Sequence, residues 1–300
     1  MNKIIFLKPY FKQTLWANNN IKQMYRLDFN AGEAWLISAI KDCESVVAHT
    51  KQTLNEFIKS HSEFFGLTKK QAQSFIYPNL TKFLDAKHPL SIQVHPDDNY
   101  AKAFGSLGKN ECWYVLKNNH QPFILGTNTD QKEKISKSIN SSDIEQYLNK
   151  VGLQIGDFVF IQAGLVHGIP SETMVYELQQ SSDITYRLYD YQRVDENGQK
   201  RQIHANQSLE TMKLELQPKI QKYKKNGLYN AANFNLSVYD LNNEEIKIKN
   251  KAKHCLEIVV YSGIGFINDV AIRAGDVLLV SYALKDVLIK GSMKIFINVL

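Results

Sequence analysis

Ser91-Ile92-Gln93-Val94-His95-Pro96 and Gly156-Asp157-Phe158-Val159-Phe160-Ile161-Gln162-Ala163-Gly164-Leu165-Val166-His167 read as two strand-like stretches, and Lys109-Asn110-Glu111-Cys112-Trp113-Tyr114 lies between them. Side chains alternate faces along a strand, so Gln93 and His95 point one way while Ile92 and Val94 point the other. Together the three segments supply Gln93, His95, Glu111 and His167, a ligand set suited to one divalent metal. Taken singly, Gln-x-His is a common sheet-edge pattern, Glu111 reads as a surface carboxylate and His167 as a turn histidine. The joint pattern is stronger than any member. Neutral imidazole and carboxylate oxygen suit zinc, and a weak amide ligand leaves room for water or substrate oxygens. No thiolate joins the set, which argues against a structural cysteine-type site.

Working outward, the chain reads as mainly β. Leu256 to Tyr261, Val277 to Val280 and Lys294 to Ile297 are strand-like, as are Phe158 to Gln162 and Thr173 to Asp190. Tyr25, Leu27 and Phe29 alternate with polar residues and read as a strand. From about Thr53 to Asp85 the spacing turns helical, with Thr68 as a helix start, and this predicts a helical insertion. Further helices are expected over Lys132 to Leu148 and Ala205 to Leu214. Gln217 to Asn233 is rich in Lys, Asn and Gln and reads as a linker. The expected organisation is a domain over 1–215, with an insertion at about 53–85, and a second β domain over 216–300. Each resembles a jelly-roll unit.

A 44% hydrophobic content across 300 residues suffices for a sizeable core. The net charge of +6 comes from 36 Lys and Arg against 30 acids, spread along the chain. Lys222-Tyr223-Lys224-Lys225 is the densest basic cluster and carries no nucleic-acid motif, so it reads as solvated surface. Three cysteines without a C-x-x-C pair argue against a disulfide framework and fit a reducing compartment. The apolar run at Ile4 to Leu7 is too short for a signal peptide, and Val277 to Leu284 is too short to span a bilayer. The expectation is a soluble cytoplasmic protein.

Glu177, Asp183 and Arg187 would share one face of a regular strand, although Gln180-Ser181-Ser182 could bulge and upset that register. The bland reading is a surface ion-pair ladder. The functional one is a polar wall with guanidiniums for an anionic substrate, since Arg binds phosphate in a bidentate fork.

Five segments, in order, resemble the type I mannose-6-phosphate isomerases in their shorter bacterial form. They are Gly32 to Ser38, Pro89 to Asp97, Gly108 to Tyr114, Ala163 to Ile169 and Glu177 to Arg187. The tail with Ile272-Arg273-Ala274-Gly275-Asp276-Val277 resembles the family's degenerate second cupin unit. The resemblance implies a cupin-type fold of two units. It also implies one zinc held by Gln93, His95, Glu111 and His167, and interconversion of mannose 6-phosphate and fructose 6-phosphate through an enediolate. It places Arg187, Lys109, Asp183 and Glu177 among the catalytic residues and Arg193 and Ser91 at the substrate phosphate. Gly108 and Asn110 stand where longer relatives carry His and Pro, so a mechanism using that His does not transfer. Two other readings compete: a cupin metal-dependent dioxygenase, and a non-catalytic sugar-phosphate-binding protein. The expected partner is a phosphorylated hexose, with no nucleic acid or membrane and at most weak homo-oligomerisation.

Overall fold

The computed structural model describes residues 2–232 and 234–300. Three antiparallel sheets stack in layers. The middle sheet runs in the order Lys219–Gln221, Phe158–Ile161, Glu111–Lys117, Thr173–Gln180, Asn79–Ala86, Glu33–Ile37, Tyr10–Lys12. Its strands are buried on both faces: Asn79–Ala86, Thr173–Gln180 and Phe158–Ile161 are buried at every position. That is why they read as continuous apolar runs with only occasional polar residues.

One face of the middle sheet, with Phe83, Cys112, Tyr114, Tyr176 and Leu178, packs on an eight-stranded sheet through Leu236, Val259 and Phe296. Tyr176 stacks on Phe296 with ring centroids 4.2 Å apart. The eight-stranded sheet is built mostly from the long strands Phe234–Lys249, Cys255–Ile267 and Asp286–Val299. Its other face encloses a second core with Ile258, Leu278, Ile289 and Ile295. At Gly263 the strand takes φ +86°, and a Cβ there would lie 2.0 Å from the Ser292 carbonyl oxygen, so glycine is required.

The opposite face of the middle sheet meets a five-stranded sheet ordered Tyr186–Tyr189, Ile92–Val94, His167–Gly168, Phe123–Thr127, Leu148–Val151. Helices Lys132–Ser138 and Ala205–Thr211 cover its outer side, where Ile92 and Val94 are buried with Ile135 and Leu188. The polar residues Gln93 and His167 are thereby left for the inner side.

Several local expectations change. Residues 20–25 form a helix and not the start of a strand. Thr68 does begin a helix, with a reciprocal cap to Gln71, but the helical stretch ends at Ser74 and Asn79–Ala86 is a central strand. The segment 132–148 is a short α-helix followed by the 3-10 turn Ser142–Tyr147. The expected linker carries strands Lys219–Gln221 and Gly227–Ala231. A single cut at residue 216 does not separate the sheets. Lys219–Gln221 pairs with Phe158–Ile161 in the middle sheet, while Ile4–Lys8 pairs with Val277–Ser281 in the eight-stranded one. Among the described residues, no helix is long and apolar enough to cross a membrane.

Glu257 is buried at the junction of the two large sheets. It accepts hydrogen bonds from the Tyr77 hydroxyl at 2.6 Å, Asn79 Nδ2 at 3.2 Å and Asn298 Nδ2 at 2.9 Å. Burial raises its pKa against those donors. The folded chain therefore keeps this proton to higher pH than the unfolded chain. The associated stability is full below the ordinary value of 4.5 and declines as pH rises through the folded value. Glu257→Gln removes that ionisation. The variant is expected to gain on the wild type between about pH 5 and pH 8.5, by on the order of 1 kcal/mol, in urea unfolding. A stability difference that is the same at both pH values would contradict this.

Candidate active site

The inner face of the middle sheet carries a row of directly opposed residues. Trp35 pairs with Lys82, Lys82 with Glu177, and Glu177 with Trp113. Glu111 opens its strand and is paired with Gln179 and Ile161. On the facing sheet Arg187 is in register with Gln93, and Gln93 with His167. His95 follows its strand directly, and its carbonyl accepts from Gly164 N at 2.9 Å. Two sheets meeting face to face thus bring together residues far apart in sequence.

His95, Glu111 and His167 form one buried cluster whose donor atoms lie within 4.8 Å of one another. Glu111 Oε2 lies 3.3 Å from His95 Nε2, and Oε1 lies 3.5 Å from His167 Nε2. The Gln93 amide stands 3.2 Å from His167 Nε2, and a flip of that amide would present its oxygen there. His167 Nδ1 faces the Leu165 carbonyl at 2.8 Å, which places the proton on Nδ1 and leaves a lone pair on Nε2. Both Glu111 oxygens are buried without a hydrogen-bond donor among the described residues. Buried carboxylate oxygens are ordinarily satisfied; Lys109 pairs with Oε2 from one side, and a metal ion between the two imidazoles would complete the partners of both oxygens.

The electrostatics agree. Burial and the Lys109 charge pull His95 down to about 3, and burial also lowers His167. Both imidazoles are neutral, the form that binds metal. Burial opposes the charge on Glu111, yet Lys109 and His95 hold it well below the usual carboxylate range. Lys109 Nζ sits 3.2 Å from Glu111 Oε2 and 3.1 Å from His95 Nε2, at the rim of the cluster. The residues present fit a divalent metal: two neutral imidazoles, one carboxylate and an amide.

A cavity of about 290 Å³ opens beside this cluster. Ser91, Gln93, Lys109, Glu177, Asp183 and Arg187, all singled out in the sequence, line it. Arg193 does not: its guanidinium donates to Asp190 and, at 2.5 Å, to the Pro89 carbonyl. Sequence reasoning missed Lys82, Glu33, Trp35, Arg201 and His204, which also line the cavity. Lys82 Nζ lies 3.2 Å from Glu177, 3.7 Å from Glu33 and 4.9 Å from the Trp35 ring centre. A lysine in a strand of otherwise buried residues is a signal, but the helical reading of 53–85 concealed it. Burial and the nearby Glu111 charge raise Glu177, even with Lys82 beside it. Trp113 Nε1 donates to Glu177 Oε2 at 2.8 Å and orients it.

A family model described as phosphomannose isomerase type I, catalytic domain, matches residues 5–135. A probable mannose-6-phosphate isomerase of Bacillus subtilis, GmuF, is 35% identical over 248 residues, covering 80% of this chain and 76% of that protein. The chain belongs to the mannose-6-phosphate isomerase family. The crystal structure of the mannose 6-phosphate isomerase from Bacillus subtilis matches over 100% of both chains, with 29% identity and a TM-score of 0.85. A zinc-bound mannose 6-phosphate isomerase, 14% identical, shares the fold over 99% of both chains with a TM-score of 0.71. The fold is that of the cupins, as these isomerase neighbours have it. The residues matched by the catalytic-domain family model include Gln93, His95 and Glu111, while His167 lies beyond them.

Proposed function

We propose that this chain interconverts mannose 6-phosphate and fructose 6-phosphate, with one zinc held by Gln93, His95, Glu111 and His167. The carrying observation is the buried His95–Glu111–His167 cluster opening onto a cavity lined by Arg187, Lys82 and Lys109. A bound zinc would supply Lewis-acid polarisation of a sugar oxygen. The chain's own groups do the rest. An aldose–ketose isomerisation moves a proton between C2 and C1 and passes through an enediolate. Arg187 lines the cavity, and its Nε is buried with no hydrogen-bond partner among the described residues, so it is free to meet developing negative charge.

The proton must be carried by a group reaching both carbons on one face of the sugar. Lys109, Glu177 and Asp183 all line the cavity. Of the carboxyls, Glu177 has its pKa moved upward, which suits proton exchange near neutral pH, whereas Asp183 is exposed. Ser91 lines the same cavity, which supports reading it as a contact of the sugar phosphate. Cytoplasmic residence and a monomer or weak homo-oligomer complete the reading; the free cysteines Cys43, Cys112 and Cys255 support the compartment.

The isomerase reading is favoured over a dioxygenase or a non-catalytic binder by the family membership. Its test is a coupled assay with mannose 6-phosphate. Turnover is expected, to fall to background on chelation and to return with zinc. Binding of mannose 6-phosphate by calorimetry without turnover would point to the non-catalytic reading, and oxygen uptake to the dioxygenase.

A further inference from the structure

Two guanidiniums, those of Arg193 and Arg201, hold a single carboxylate, Asp190, and a third, that of Arg187, lies near enough to feel the charges of Arg201 and Asp190. Asp190 is buried, and accepts from Arg201 Nε at 2.7 Å and a terminal Arg201 nitrogen at 2.5 Å. Its Oδ1 also accepts from Arg193. Burial opposes the charge on Asp190, but Arg201 and Arg193 hold its pKa below the ordinary value. The third guanidinium, Arg187, is depressed by burial and by the neighbouring Arg201 charge. Two guanidiniums on one carboxylate leave a positive excess, and Arg187, which also feels Glu33, adds a further cation beside it, a setting suited to an anionic group.

The three arginines are not equivalent. Arg193 lies outside the cavity lining and is tied to Pro89 and Asp190. Arg201 and Arg187 line both the cavity and the adjoining outer groove. The side-on pair with Asp190 uses Arg201 Nε and one terminal nitrogen, leaving the other terminal nitrogen's donors for a ligand. Arg187 is in register with Gln93 of the metal cluster, whereas Arg201 comes from the loop ahead of helix Ala205–Thr211.

We propose that Arg201, held side-on by Asp190, binds the substrate phosphate, and that Arg193 braces Asp190 without touching the sugar. Arg201 is then a binding residue and Asp190 a positioning residue. The assignment rests on the isomerase reading for the identity of the substrate. It departs from what the family resemblance suggests for Arg193, because that guanidinium is already engaged.

The test compares Arg201→Gln, Arg193→Gln and Asp190→Asn in the zinc-loaded enzyme, with inorganic phosphate as competitive inhibitor. Arg201→Gln is expected to raise KM for mannose 6-phosphate and the phosphate inhibition constant about 10- to 100-fold, with kcat within about threefold and zinc content intact. Asp190→Asn should raise KM less and keep kcat, and Arg193→Gln should move either constant by less than about threefold. Arg201→Lys keeps the charge without the fork and should fall between wild type and Arg201→Gln; it serves in its place if the Gln variant fails to fold. Unchanged KM and phosphate inhibition in Arg201→Gln or Arg201→Lys overturns the assignment, as does an Arg193→Gln effect as large as that of Arg201→Gln. A wild type that binds phosphate but turns nothing over defeats the isomerase reading alone, because calorimetry of phosphate binding to the same variants still reads the role of Arg201.

Discussion

Glu111→Gln is expected to lose the bound metal and to lower turnover of mannose 6-phosphate by at least about 10⁴-fold. Glu111 is the one carboxylate in the buried cluster, and beyond its ion pair with Lys109 neither oxygen makes a hydrogen bond among the described residues. Glutamine fills the same volume, so the change removes charge without opening a cavity. Neutral imidazoles and amides alone hold a divalent cation far less well than the set that includes a carboxylate. The variant also leaves Lys109 facing His95 without its ion-pair partner, which destabilises the chain locally. His167→Gln is the control, because it keeps the Lys109–Glu111 pair and should also lose the metal. Elemental analysis reads both variants. A full complement of metal with wild-type turnover in Glu111→Gln would remove the cluster from the mechanism.

Arg187→Ala is expected to lower kcat about 10³-fold while metal content stays at the wild-type level. The reason is geometric. Arg187 sits across the strand pairing from Gln93 and lines the cavity, but its guanidinium is not among the metal-binding donors. A fixed positive charge in a half-buried position stabilises a developing oxyanion more than one free in solvent. Removing it should leave metal binding intact and the transition state without one of its partners. Equal loss of metal and activity would mean that Arg187 serves the fold of the site instead, and unchanged kcat would refute the role outright.

Much of the candidate site was legible because two of its proposed ligands sit at strand spacing. Gln93 and His95 are two residues apart with apolar neighbours between and beside them, which fixes their common face wherever the strand lies. The same reasoning marked Glu177 and Arg187, although the loop at residues 181–185 separates their two strands. The helical reading of 53–85 failed at its far end because Asn79–Ala86 is buried on both faces. With no exposed side, the strand shows no two-residue alternation to set against a helical spacing. The expected linker failed for a related reason. Lys219–Gln221 and Gly227–Ala231 lie at the edges of two sheets, where polar residues are tolerated and the periodic signal is weak.

Read alone, the chain determined which chemistry was on offer: two histidines, a carboxylate and an amide on strands, with arginines and lysines for an anion. Those are properties of residue type and short spacing, set by the geometry of a strand. Only the tertiary structure decided which cations face the cavity. Lys82 and Arg201 line it, while Arg193 is tied to Asp190 and Pro89. That choice depends on pairings between residues distant in the chain and on where buried charges find partners, and neither leaves a local pattern in the sequence.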